Sequence, residues 1–122
     1  QRNAEDAINT YPEMDAMVGL FAYTPPACYQ AIQKAGKLGE IQLIGFDESD
    51  LTLQAIKEGH CIGTVVQNPY RYGYESVRVL NALIAGEESV IPPSEFIDIE
   101  PRTVTSDNVD AFRADLEAKK SG

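Results

Sequence analysis

The sequence predicts an α/β chain built as a doubly wound parallel sheet flanked by helices, and two observations carry that expectation. Three short apolar runs, Ala16 to Ala22, Ile41 to Phe46 and Cys61 to Val66, are nearly continuous in hydrophobicity rather than alternating. Such runs mark strands covered on both faces by helices. Between them lie segments with helical spacing, so the order reads strand, helix, strand, helix, strand. A chain of 122 residues suffices for one domain and is too short for two ordinary ones.

Each element has its own signals. A helix from about Ala4 to Tyr11 precedes the first strand and ends before Pro12. The first connecting helix places Ala27, Ala31, Ile32 and Ala35 at helical offsets and stops at Gly36. The second carries Leu51, Ala55 and Ile56, is opened by Ser49 or Asp50 as N-cap, and closes at Gly59. A fourth helix is expected over Tyr70 to Ala85, with Pro69 at its first turn and Gly73, Val77, Leu80 and Ile84 on one face. Glu87 to Pro93 reads as a linker because Pro92-Pro93 prevents regular structure. Phe96 to Ile99 and Thr103 to Thr105 read as short extended segments. A last amphipathic helix, about Asn108 to Ala118, carries Val109, Phe112 and Leu116 behind Asp107 as cap.

Composition excludes several classes of function. Hydrophobic residues make up 43% and charged residues 24%, the balance of a globular chain rather than a disordered tail. A formal charge of −9 argues against nucleic acid as a partner, which needs clustered Lys and Arg, and against docking on an anionic membrane. No apolar run approaches the roughly 20 residues that span a bilayer. The opening residues, Gln1 to Asp6, hold no signal-peptide h-region and already read as helix.

Candidate site residues follow from the architecture. In open parallel sheets, ligands bind beyond the carboxyl ends of the strands. Those ends supply Tyr23 and Thr24, Asp47, and Gln67. A carboxylate, an amide, a hydroxyl and an aromatic ring suit a polyol: the carboxylate accepts from two hydroxyls and the ring covers an apolar sugar face. Each also has a plainer reading. Asp47 serves equally well as the cap of the following helix, Gln67 as a polar strand end, Tyr23 as packing, and Thr24 as the start of a turn before Pro25-Pro26.

No dinucleotide-binding, phosphate-loop or nucleophile-elbow motif occurs, and no cofactor or metal is expected. His60, the single histidine, falls at the strand end opposite the candidate site and is expected at the surface. Cys28 and Cys61 are placed at opposite ends of the sheet layer. A six-residue strand spans about 20 Å at roughly 3.3 Å per residue, beyond the roughly 7 Å limit for a disulfide, so two free thiols are expected.

Taken in order, several stretches resemble the ribose/galactose class of type I periplasmic sugar-binding proteins that serve ABC transporters. These are Gly19-Leu20-Phe21-Ala22-Tyr23-Thr24-Pro25-Pro26-Ala27, Ile44-Gly45-Phe46-Asp47-Glu48, Gly63-Thr64-Val65-Val66-Gln67-Asn68-Pro69-Tyr70 and Thr105-Ser106-Asp107-Asn108-Val109. The resemblance implies a non-enzymatic periplasmic or lipid-anchored extracellular receptor. Its two lobes would close on a sugar or polyol, and its partner would be an ABC permease. It matches Asp47 and Gln67 to sugar contacts, while Thr24 stands where the family often has Asn, which points to a different polyol or polar solute. It covers only the C-terminal part of the family's length. Residues 1–67 would form part of the C-terminal sugar-binding lobe. Residues 68–122 would carry the hinge crossover, a helix of the other lobe and the C-terminal segment. An isolated piece of this kind leaves a strand edge and a helix face uncovered, which predicts a homo-oligomer or a domain swap. Two other functions compete. The effector domain of a sugar-responsive repressor shares the fold but carries a basic helix-turn-helix ahead of it, and a doubly wound enzyme has Asp47 as a candidate nucleophile or base.

Overall fold

A computed structural model describes residues 1–121. Helix α1 (Arg2–Thr10) starts ahead of the expected Ala4 and ends before Pro12. Strand β1 (Ala16–Gly19) is shorter than its apolar run. Phe21 turns the chain with φ at 65°, and Pro25 and Pro26 then occupy the first turn of α2 (Thr24–Lys34). The next elements are β2 (Gln42–Phe46), α3 (Asp50–Lys57) and β3 (Gly63–Val66). After them come α4 (Pro69–Ile84), β4 (Arg102–Thr105) and α5 (Val109–Ser121).

The strands lie in the order β1-β2-β3-β4. β1 runs parallel to β2 with Gly19 opposite Gly45, and β2 runs parallel to β3 with Phe46 opposite Val65. Strand β4 comes so close to β3 that a Cβ at Gly63 would lie 2.6 Å from the Val104 carbonyl oxygen. Helix α2 packs on β1 and β2 and touches α1 and α3, and α5 packs on α3. These helices bury one face of the sheet. Leu43 and Val66 meet Ile32, Leu53 and Ile56 in the core, which Ile8, Val109 and Phe112 extend. The opposite face carries Ala16, Val18, Gln42, Ile44 and Phe46, and Val18 is 54% exposed. Continuous apolar runs predict strands covered on both faces; among the described residues only one face is covered.

By contacts the chain forms two units: residues 1–66 joined by the chain from Thr103 onward, and residues 67–102. The second unit is built on α4, whose N-cap Asn68 accepts the Arg71 N–H at 3.1 Å. The sequence pattern sends Gly73, Val77, Leu80 and Ile84 toward a core. The structure leaves that face in solvent, with Val77 68% and Ile84 87% exposed. The buried residue of α4 is instead Glu75, bonded by Arg71 at 2.9 Å and Arg78 at 2.7 Å. The Arg78 hydrogen bond, with the neighbouring Arg71, holds this carboxyl below its usual range.

Local expectations change in four places. The Glu87–Pro93 linker contains a 3₁₀ turn at Glu88–Val90. Phe96 to Ile99 joins no strand, though Ile97 and Ile99 line a groove along α4 with Tyr72, Val79 and Leu80. Asn108, not Asp107, directly precedes α5, and its side chain turns back to accept from the Thr105 amide and donate to the Thr103 carbonyl. His60 is half-buried rather than fully at the surface, its ring 6.1 Å from that of Tyr29 and tilted 32° to it. Cys28 and Cys61 are both buried and not bonded to one another, and burial pushes both thiols up.

Candidate functional site

The register of the parallel strands aligns the carboxyl ends of β1 and β2, so the turns that follow share one edge of the sheet. Gly19 ends β1 directly against the start of α2, where a Cβ would lie 2.6 Å from Pro25 N. That close approach draws the Leu20–Tyr23 turn tight and leaves Thr24 at the edge. Thr24 donates its hydroxyl to the Phe21 carbonyl at 3.0 Å, and its amide donates there as well. With its proton committed, the Thr24 oxygen is left to act as an acceptor. Tyr23 is 73% exposed and stacks on Phe21, ring centroids 6.0 Å apart and planes 12° from parallel.

Asp47 follows β2 on the same edge and is half-buried. It is not the cap of α3. That position belongs to Ser49, whose hydroxyl accepts the Thr52 N–H at 3.1 Å. Asp47 takes φ of 61°, and its N–H donates to the Val65 carbonyl at 2.8 Å. Tyr23, Thr24 and Asp47 therefore belong to one edge of the first unit. Gln67 is the exposed residue immediately after β3, the first of the second unit.

Together the first three offer a carboxylate, a hydroxyl oxygen and an exposed ring pair. They suit hydrogen bonding to a polyhydroxylated solute. Sequence reasoning missed Phe21 and Thr64. Thr64 had a signal, as the polar residue inside the apolar run Gly63 to Val66. Phe21 had none, since a left-handed aromatic residue cannot be read from composition. Among the described residues no cluster of three or more His, Cys, Asp or Glu side chains is placed to hold a metal, and no helix is long and apolar enough to cross a membrane.

The family model described as "Periplasmic binding protein domain" matches residues 1–88. A xylitol-binding protein of Mycolicibacterium smegmatis is 31% identical over 99 residues, covering 81% of this chain and 27% of that protein. An ABC transporter solute-binding protein from Agrobacterium vitis, solved with bound D-fucose, superposes with a TM-score of 0.77 at 29% identity. That match covers 89% of this chain and 36% of the other. An arabinose-binding protein from Geobacillus stearothermophilus superposes with a TM-score of 0.73 at 27% identity, covering 91% of this chain and 40% of the other. The chain thus spans well under half the length of the relatives it matches.

Proposed function

Since the chain belongs to the periplasmic binding protein domain family, we propose that it works as the solute-binding receptor of an ABC importer, taking a sugar or polyol by closure of two lobes. Its fold is part of the type I periplasmic binding protein fold. The family implies a periplasmic or extracellular location, and the proposed partner there is a membrane permease. Tyr23, Thr24, Asp47 and Gln67 are the proposed ligand contacts. The observation that carries the reading is Asp47: a carboxylate at the sheet's carboxyl edge, relieved of capping duty by Ser49.

Xylitol, D-fucose and arabinose, the ligands named for the relatives, are the first probes. Asp47→Ala should weaken binding about 10- to 100-fold, since hydrogen bonds to a charged group contribute about 1.5–3 kcal/mol. A thermal-shift screen of the full chain against these and other polyols tests the reading. A shift with one of them supports it, and silence across the panel moves the ligand to another class of polar solute.

The domain reading carries over as a proposal. Residues 1–67 form part of the sugar-binding lobe, and 68–122 carry the hinge crossover, a helix of the other lobe and the C-terminal segment. The bare apolar face of α4 favours self-association of the 122-residue chain. Light scattering that gives a clean monomer counts against it. The relatives are named as binding proteins, which favours the receptor over a repressor's effector domain or an enzyme.

A further inference from the structure

Asp47 lies just past the end of β2, yet its backbone leaves the extended region for a φ of 61°. Aspartate accepts this conformation more readily than most residues, but an L side chain there is still disfavoured. Consecutive residues of β3 hold it in place. The Asp47 N–H donates to the Val65 carbonyl at 2.8 Å, and the Asp47 carbonyl accepts from the Thr64 hydroxyl at 2.6 Å. Thr64 is buried and sits opposite Gly45 in the β2–β3 register. Gly45 leaves room for that hydroxyl, because a Cβ there would lie 3.0 Å from Thr64 Oγ1 and 3.2 Å from Thr52 Cγ2. On the far side, Ser49 bonds both the amide and the hydroxyl of Thr52. The turn is therefore anchored before and after Asp47 through other groups.

We propose that Thr64 is a positioning residue. Its hydroxyl holds the Asp47 backbone in the left-handed turn that sets the carboxylate at the sheet's carboxyl edge. This rests on the reading of Asp47 as a ligand contact. Gly45, Asp47 and Thr64 then act as one device, the first making space for the hydroxyl that fixes the second.

The test uses the full chain, thermal unfolding without sugar, and calorimetric titration with xylitol, D-fucose and arabinose. Thr64→Val should weaken binding about tenfold, the upper range for one lost hydrogen bond, while Thr64→Ser stays within about threefold of wild type. In an Asp47→Ala background, Thr64→Val should cost less than about a further twofold, because coupled residues are not additive. Without sugar, Asp47→Gly should restore most of the Tm lost in Thr64→Val, since glycine needs no help to hold φ positive. Normal binding by Thr64→Val beside impaired Asp47→Ala overturns the positioning role and spares the site. Normal binding by Asp47→Ala overturns the site reading, and no binding by wild type moves the ligand to another class of polar solute; in either case the glycine rescue decides alone whether Thr64 holds the turn. Should Thr64→Val fail to fold, a tenfold loss in Thr64→Ser overturns the proposal and retained binding supports it.

Discussion

Helices α3 and α4 have similar hydrophobic patterning and opposite surroundings. Helix α3 buries Thr52, Leu53, Ala55 and Ile56 against the sheet layer and α5, and Ser49 caps its start. Helix α4 has Tyr70, Tyr74, Val77, Leu80 and Ile84 in solvent and buries Glu75 between two arginines. An amphipathic stripe thus specifies a helix and the direction it seeks a partner, but not whether the partner is there. Covering a side chain such as Leu80 or Ile84 stabilises by about 1.5–3 kcal/mol. Helix α4 leaves Val77, Leu80 and Ile84 mostly exposed, and the Asn68 cap, the Glu75 ion pairs and partial cover of Val79 beside Ile97 and Ile99 support it locally.

Ile56→Ala should separate the two helices most sharply. Ile56 is wholly buried, and truncation there should destabilise by about 2–5 kcal/mol in chemical denaturation. A loss near zero would mean the α3 core is not packed as described. Alkali should act next, and on the first unit. The buried Cys28 and Cys61 thiols titrate above the ordinary 9.0, because burial disfavours the thiolate. Below 9.0 both states keep their protons. Above it the unfolded chain loses them first, so stability falls as pH rises. Cys28→Ala/Cys61→Ala should flatten that alkaline limb in a pH series of thermal melts.

Acid should act on α4 in the reverse sense. The Glu75 carboxyl lies below the ordinary 4.5, held there by Arg78 and Arg71. The helix keeps the full benefit of these pairs above 4.5 and loses it as pH falls through the folded value. Glu75→Gln should remove this acid dependence from the helical circular dichroism signal, and an unchanged profile would show that the arginine pairs do not hold α4. The smallest effect belongs to Ile84→Ala at a dilution where the chain is monomeric, expected to shift stability by about 0.5 kcal/mol or less. A larger loss would show that something covers the α4 face in solution.

The strand–helix alternation was legible because burial leaves a period in the sequence. Ile41 to Phe46 announced β2 to within a residue, and the Ala27, Ala31, Ile32, Ala35 spacing announced the end of α2 to within a residue, while its start at Thr24 lay three residues earlier. The edge at which Tyr23, Thr24 and Asp47 sit was legible for a related reason: parallel strands point their ends the same way. The backbone of that edge was not. Phe21 and Asp47 both adopt positive φ; aspartate tolerates it better than most residues, but neither position announces it in the sequence. The choice between Ser49 and Asp47 as cap was also open until the Ser49 hydroxyl was seen on the Thr52 amide.

By itself, then, the sequence determined the α/β order, the parallel sheet and the short list of polar residues at its edge. These follow from local periodicity and from the fixed direction of parallel strands. Tertiary structure alone decided three things. Among the described residues it left one sheet face and the α4 stripe uncovered, it turned Glu75 inward in place of Leu80 and Ile84, and it tied Asp47 to Thr64 across two strands. Each depends on residues distant in the chain meeting, or failing to meet, in space, and hydrophobic patterning carries no record of that.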